Sequence, residues 1–477
     1  MAQNLASGLT LDAEISATGS SGDHSPLWLN SNRYGMSSTE SWSAYQRVKL
    51  SRSEDNDSLR NWQFGYALDL ALMENSASVL NVQQAYIKAA YRKVSVTIGT
   101  KEQPMVMKNQ ALSSGGLGLG INARPIPQMR FDIDYFSIPG TNQWWKWKAN
   151  MSYGFTTDGN WQRSFVAEGE RYTSNHLYHE KALYWKFGKE NHPVVPLTYE
   201  IGISMSSQFG GTLYNITGRN HRDKTEVVMP SDLRSWVDAL FCRGHDVTDG
   251  TEANTAGNHL GSYNMALAWH GEKWKAKAYF ERFFEDQSML TVQYGIQDHL
   301  IGVEGELPAN PFLSTIVIEH ISTKNQSGAV YHDQTASIPD KMNGRDNYYN
   351  HNLYSGWQHW GQTIGNPLIT SPSYNASHKI QFDNNRIKGW HIGLSGDPSE
   401  SIHWRMLLSL TQNWGTYVKP YVDVRNQMNL MGEVTWTPSF LKGWSGKMAM
   451  GYDNGSVIGN SFGAQLSIHK TLNLMGL

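Results

Sequence analysis

A single cysteine in 477 residues leaves Cys242 nothing to pair with, so no internal disulfide staples the fold. Cys242 also lies far from the N-terminus, where a lipid-anchored cysteine would have to be. Charge is scarce: Asp, Glu, Lys and Arg make up 17% of the chain, against about 25% in a typical soluble domain. The balance is close to even, with a formal net charge of −2. Without a basic stripe or a phosphate-cradling glycine loop, nothing points to nucleic acid. No run of about 18 apolar residues occurs, which excludes a transmembrane helix. His-Glu-x-x-His, Cys/His clusters and Gly-x-Ser-x-Gly are all missing, so neither a zinc site nor a hydrolase elbow is expected. Asp246, Asp249 and Glu252 lack the spacing of an EF-hand loop. The chain is therefore read as a non-enzyme with no cofactor and no metal, although hydrolytic barrels need only a few loop residues. Met1-Ala2-Gln3-Asn4 has no apolar core behind it and is read as the remnant of a removed signal peptide or an added start.

What is plentiful is glycine (44), tyrosine (23) and tryptophan (18). The mean hydropathy of −0.50 does not argue against a membrane, because the strands of a transmembrane barrel are only half apolar. The period of the apolar residues supports that reading. From Asn61 to Leu72, Trp62, Phe64, Tyr66, Leu68, Leu70 and Leu72 alternate with Gln63, Gly65, Ala67, Asp69 and Ala71. A period of two puts the sets on opposite faces of a strand. Roughly 18–20 segments are candidate strands, among them Gln128–Ile138, Trp147–Phe155, Leu117–Asn122, Trp161–Glu168 and Val457–His469, and several of them alternate cleanly. No core segment with a helical period intervenes. A sheet whose polar face is never covered by helices fits a transmembrane barrel with lipid outside and water inside. The competing reading is a soluble β-sandwich pair or propeller. It is weakened by the lack of a blade-length repeat and by the aromatic tips of the apolar faces.

The connections sort into two classes. Short ones include Arg92-Lys93, Asn122–Pro127, Asp158–Asn160, Gly271-Glu272, Leu307–Pro311 and Gly396–Ser399. Long ones are Gly19–Ser41, Lys101–Gly116, Pro139–Lys146, Gly210–Gly261, Glu285–His299 and Ser322–Ser377. In chain order they alternate, which places long loops at one end and tight turns with both termini at the other. Outer-membrane barrels follow this rule, with short periplasmic turns, long extracellular loops and an even strand number. The expectation is one antiparallel up-and-down barrel over residues 1–477, of about 18 strands, in the cell outer membrane. Residues 1–8 form its periplasmic N-terminal end, and 19–41 fold into the lumen. Pro230–Phe241 opens with Pro, Ser and Asp and sets Leu233, Trp236, Val237 and Leu240 on one helical face, predicting a short helix inside a loop.

Three stretches, in this order, resemble the capsule assembly Wzi family of outer-membrane proteins. The first is Ser25-Pro26-Leu27-Trp28-Leu29-Asn30-Ser31-Asn32-Arg33-Tyr34-Gly35. The second joins Ile98–Glu102, Leu112-Ser113-Ser114-Gly115-Gly116 and Asn122–Pro127. The third is Gly365-Asn366-Pro367-Leu368 with Asp383–Gly389. Strand periodicity matches over nearly the whole chain. The end departs from the pattern, since Leu474-Met475-Gly476-Leu477 lacks the terminal aromatic often seen in such barrels. The resemblance implies a monomeric, lectin-like, non-catalytic barrel that binds capsular or exported polysaccharide and helps attach it to the cell. The alternatives are a diffusion channel, or the barrel subunit of a larger envelope assembly whose loops dock a surface lipoprotein. Besides polysaccharide, the expected partner is outer-membrane lipid.

Sugar recognition needs aromatic faces and hydrogen-bonding side chains in a partly enclosed site. The densest such run is Arg345–Trp360, in the longest connection. Tyr348, Tyr349, Trp357 and Trp360 form the candidate platform, with Arg345, Asn347, His351 and His359 as polar partners. The other reading is a loop that covers the barrel mouth and packs its own aromatics. Arg219 and Arg222 suit acidic sugars, because Arg grips a carboxylate bidentately, or they pair with Glu226 and Asp232 in a solvated loop. Trp28, Asn30, Asn32 and Arg33, with Asp383, Asn385, Arg386 and Arg405, are assigned to ladders inside the lumen that hold inward loops and narrow any channel.

Overall fold

A computed structural model of the protein describes residues 7–216, 225–243, 257–285, 297–326, 330–331, 342–343 and 347–474. The alternating stretch around Leu68 shows why the chain folds as it does. In the strand Trp62–Glu74, Leu68, Leu70 and Leu72 are exposed while Ala67, Asp69, Ala71 and Met73 are buried. Leu68 is 51% exposed and Asp69 is 0%. A soluble protein would not place its leucines outside and its aspartate inside. This arrangement suits a wall with lipid on its outer face and a polar interior.

Eighteen strands carry the pattern. The first nine are β1 (Leu9–His24), β2 (Glu40–Arg52), β3 (Trp62–Glu74), β4 (Leu80–Tyr91), β5 (Val94–Thr100), β6 (Gln128–Ser137), β7 (Trp145–Phe155), β8 (Leu177–Gly188) and β9 (Leu197–Phe209). The second nine are β10 (Asn258–His270), β11 (Lys275–Phe284), β12 (His299–Glu306), β13 (Thr315–Ser322), β14 (Ile387–Ser399), β15 (Ile402–Gly415), β16 (Pro420–Trp436), β17 (Trp444–Gly455) and β18 (Ser461–Asn473). Each pairs antiparallel with the next, and β1 pairs with β18 from Thr10↔Asn473 to Ser21↔Phe462. The ring is closed, so no strand leaves its backbone groups unpaired at an edge, as a bilayer requires. Trp62, Tyr91, Trp145, Trp269, Trp436 and Trp444 collect on the outer face where strands meet the terminus end. That is the position of an interfacial girdle.

The long connections 101–127, 156–176, 210–257 and 323–386 all leave from the end opposite the termini, here called the loop end. Two predicted strands are not strands. Leu117–Asn122 is irregular chain inside the lumen, and its alternation arises because Leu117 and Ile121 are buried there between glycines. Trp161–Glu168 overlaps a helix. Each false strand inverted the expected direction once, and the two inversions cancelled. Only the chain between them was misplaced: the 138–144 connection lies at the terminus end, and Asp158–Asn160 belongs to the loop end.

The described residues contain three α-helices: α1 (Leu27–Asn30), α2 (Gly159–Phe165) and α3 (Leu233–Phe241). None is long and apolar enough to cross a membrane. In α3 the Asp232 side chain caps the helix by accepting from Ser235 N at 2.9 Å. Because β1 continues to His24 and β2 starts at Glu40, the inward segment expected over 19–41 is narrower, residues 25–39.

The hydrophobic core sits inside the barrel. Residues 25–39, 101–127 and 347–386 turn into the lumen and pack Leu29, Leu112, Leu117, Tyr349, Trp357 and Ile369 into one buried cluster with wall residues such as Phe283 and Val317. The three segments also bond to one another. Tyr34 N donates to Ile121 O (2.7 Å), Gly120 N to Ile364 O (2.9 Å), and Asn366 Nδ2 to Gly115 O (2.9 Å). They form a plug.

Candidate functional site

Wall carboxylates seat the plug. On three consecutive strands, Glu281 (β11), Glu304 (β12) and Glu319 (β13) point inward and are buried. Glu281 holds Lys108 Nζ at 2.7 Å and accepts from Leu117 N (2.9 Å) and Gly118 N (2.8 Å). Glu304 accepts from Asn109 Nδ2 (2.8 Å). Glu319 accepts from Ser113 Oγ (2.6 Å) and Ser114 N (2.8 Å). On the next two strands, His391 (β14), the cross-strand neighbour of Glu319, meets Leu112 O (2.8 Å) and Arg405 (β15) donates to Ala111 O (2.8 Å). The plug leaves a cavity of about 440 Å³ against the inner wall, of mixed lining, with the charged groups Lys101, Arg130, Asp132, Lys148, Glu180 and Arg124 beside apolar ones such as Leu119 and Ile126.

At the loop end a second hollow, about 130 Å³, opens between Ser37–Glu40, Asn75–Ala77, Trp161, Phe165, Trp360, Gln362, Ser373 and Arg124. Its aromatic wall is built locally. Trp161 and Phe165, one turn apart on α2, stack with ring centroids 4.8 Å apart. Trp360 and Gly361 form the turn of a small hairpin, Gln358↔Thr363 and His359↔Gln362, and both have positive φ (56° and 80°). Glycine takes that conformation freely, but a tryptophan there is strained and needs outside support. Trp360 N donates to Asp158 Oδ2 (3.1 Å), its indole Nε1 donates to Thr157 Oγ1 (3.2 Å), and the Arg124 guanidinium lies 4.5 Å from the ring centroid. A Cβ at Gly361 would come within 2.6 Å of the Trp161 ring. The two aromatic pieces are therefore fitted to each other.

The layer beneath is electrostatically tight. His359 is buried; its Nδ1 donates to Arg124 O (2.9 Å), and its Nε2 accepts from Thr157 N (3.2 Å). That pattern requires the neutral ring, and burial keeps its pKa below the usual histidine value. Burial also lowers His176 to about 4 and His351 to about 3. Arg124 is buried, donates to Ser78 Oγ (2.7 Å), and has no carboxylate within ion-pair distance among the described residues. Removal from water lowers its pKa to about 10, with Asp158 acting in the opposite sense, so it stays charged at neutral pH. The groove thus offers aromatic faces, hydroxyls and amides, and a cation with spare bonding capacity. This chemistry suits a sugar ring carrying hydroxyls or a carboxylate.

The residues singled out in the sequence do not share one surface. Tyr348, Tyr349 and Trp357 are wholly buried. Tyr348 donates to Asp298 Oδ2 (3.0 Å), and Tyr349 bonds to Leu117 O and packs on Phe382 (5.3 Å). Trp357 lies in the lumen cluster. These rings fasten the plug, and the platform of four expected from the sequence is reduced to Trp360. Asn347 Oδ1 accepts from Asn385 Nδ2 (2.6 Å), and His351 Nδ1 accepts from Leu353 N and Tyr354 N (3.1 and 3.2 Å). Arg345, Arg219 and Arg222 lie outside the described residues, as do Asp246, Asp249 and Glu252.

Trp28 and Asn30 are buried in the lumen. Asn32 donates to Ser114 O (3.0 Å), Asn30 donates to Tyr374 OH (2.9 Å), and Arg33 and Arg405 converge on Glu433 (3.5 and 2.7 Å). Asn385 is buried beneath Tyr348, whose carbonyl it reaches at 2.8 Å. Asp383 and Arg386 differ from the lumen assignment. They sit at the rim, Asp383 3.9 Å from Lys419 and Arg386 over the Tyr417 ring at 3.7 Å. The sequence reading missed Trp161, Phe165, Arg124 and Gln362. One signal was present, Asp158 ahead of an i, i+4 aromatic pair, which marks a helix start as well as a turn.

No protein-family model matches this sequence, and no curated protein is significantly similar to it. Among solved structures the barrel is similar to Wzi from Escherichia coli, described as an outer membrane protein involved in group 1 capsule assembly and a carbohydrate-binding β-barrel. The identity is 14%, the TM-score is 0.57, and the match covers 97% of this chain and 85% of that one. It is also similar to OccK2 (OpdF) from Pseudomonas aeruginosa at 7% identity and a TM-score of 0.50, covering 98% of each chain. At such identities the likeness shows the fold alone: a closed 18-stranded barrel of the kind found in outer-membrane proteins.

Proposed function

We propose that this chain is a non-catalytic outer-membrane barrel that binds surface polysaccharide at its loop end and helps assemble or attach capsule there. Its termini face the periplasm and its long loops face outward. The observation that carries this reading is the groove formed by Trp161, Phe165 and Trp360 beside Arg124, which has no ion-pair partner among the described residues, set on the hydrogen-bonded plug. The similarity to a carbohydrate-binding barrel supports it. The strained Trp360 backbone supports it too, because strain of this kind is retained where a side chain must be presented.

The test is binding of purified capsular polysaccharide to the detergent-solubilised barrel. Removing one stacking ring is expected to cost about 1.4 kcal/mol, a tenfold loss. Trp360→Ala and Trp161→Ala should each show it while the barrel keeps its heat-resistant migration in gels. Wild-type affinity in both variants would refute the site. In cells, loss of the protein should release polymer into the medium while synthesis continues. A channel is the second reading, and the lumen cavity of about 440 Å³ favours it. Planar-bilayer recording decides, and a seated plug should be silent.

A further inference from the structure

Helix α3 packs on the outside of the barrel. In β8, Tyr178, Glu180 and Tyr184 face the lumen cavity, so His179 and Lys181 face outward. In β9, Ser204 lines the same cavity, so Met205 and Ser207 face outward. α3 lies on these outward residues. Lys181 Nζ donates to Ala239 O (3.2 Å) and Leu240 O at the helix C-terminus, where a cation complements the helix dipole. Tyr153 donates to Trp236 O (2.9 Å), and the two rings pack in a tilted contact with centroids 4.7 Å apart. His179 and Ser207 are buried although they project from the outer wall.

The helix is inside-out for a surface helix. Ser235, Asp238 and Ala239 are buried against the barrel, whereas Leu233, Val237 and Phe241 are 81%, 37% and 58% exposed. A helix in water turns its apolar stripe inward. This one turns it away from the protein, on the same side as the exposed Met151 and Phe155 of β7, which belong to the apolar belt. Arg234 is exposed on the helix, and the Arg243 guanidinium lies 4.9 Å from the Phe241 ring, the pairing of basic and apolar groups that interfacial helices use.

We propose that α3 is a lipid-contacting helix lying in the outer-leaflet interface. Its Leu233–Val237–Phe241 stripe dips among the acyl chains, and its inner face shields the polar strip His179–Lys181–Ser207 that lipid would otherwise meet. The occupant of the stripe is acyl chain rather than a second protein, because the stripe continues the lipid-facing belt.

Single cysteines at Leu233, Val237 and Phe241, each carrying an environment-sensitive fluorophore, test this in phosphatidylcholine vesicles. Ile87, exposed in the belt, is the lipid reference, and Glu226, exposed at the loop end, is the water reference. The cysteines are placed both in Cys242→Ala and with the buried native Cys242 retained, so that misfolding of one background leaves the other. Quenching by brominated lipid as strong as at Ile87, with iodide quenching far below that at Glu226, is the expected result. Iodide quenching equal to Glu226 would overturn the proposal. So would protection from both quenchers with cross-links between copies, because the stripe would then be a protein interface.

Discussion

Removing the Glu281 carboxylate should unseat the plug. Lys108 and Glu281 side chains are each 3% exposed and 2.7 Å apart, and the same carboxylate accepts from Leu117 N and Gly118 N. Truncating one partner of a buried ion pair costs about 3–5 kcal/mol, because the other charge is left unpaired. Taking about 4 kcal/mol, Glu281→Ala raises the ratio of unseated to seated 101–127 segment roughly a thousandfold. The assay is amide hydrogen exchange at Leu117 and Gly118, with bilayer conductance as a second readout. Both should rise together. Replacing Lys108 and Glu281 with methionine removes both charges, and an apolar pair of similar size is often neutral relative to a buried ion pair. Only the two stranded N–H groups then remain, about 1 kcal/mol each. The double variant should therefore protect the segment better than Glu281→Ala. Wild-type exchange in Glu281→Ala, or a double variant as loose as the single one, would refute the reasoning.

Leu68→Arg puts a cation on the outer face midway along β3 and should destabilise the barrel by about 2–4 kcal/mol, read as a lower temperature for the loss of heat-resistant gel migration. Acid should loosen the loop-end layer through His176. Its folded pKa is lowered to about 4 against 6.5, so between those values the unfolded state binds a proton that the folded state refuses. Stability is then full above pH 6.5 and falls as pH drops toward 4, by up to about 3 kcal/mol for this residue. His176→Gln should flatten that slope in thermal melts across the same pH range. Arg124→Met removes the spare cation of the groove and should weaken an acidic polysaccharide tenfold or more while sparing a neutral one, since a charge-assisted bond is worth about 1.5–3 kcal/mol. Equal loss for both polymers would assign Arg124 to structure alone.

The legibility of the chain divides along the same line. Leu68 and Asp69 carry their positions in their order, because a strand sends neighbours to opposite faces. Loop length carried direction in the same way. Where this failed, in Leu117–Asn122, alternating apolar residues met a second buried environment inside the lumen, and a period of two does not say which surface buries it. Tyr348, Tyr349 and Trp357 met the same ambiguity: an aromatic-rich loop has one composition whether it faces solvent or fills a cavity. The face read for α3 was Leu233, Trp236, Val237 and Leu240; the outward stripe is Leu233, Val237 and Phe241, with Trp236 turned onto Tyr153 and Phe209, because the sequence period does not say which side the barrel covers.

Local periods and spacings are enough to specify a closed, polar-lined barrel and the end from which most of its long loops leave. The tertiary structure alone decided that the lumen is filled, that Trp360 and Trp161 share a groove, and that α3 lies outside the wall. These depend on contacts such as Arg405 with Ala111 and Asn366 with Ser114, separated by 294 and 252 residues. Such contacts leave no period in the chain. They exist because a ring of eighteen strands encloses a space that its own wall side chains do not fill, and loops with apolar residues gain free energy by filling it.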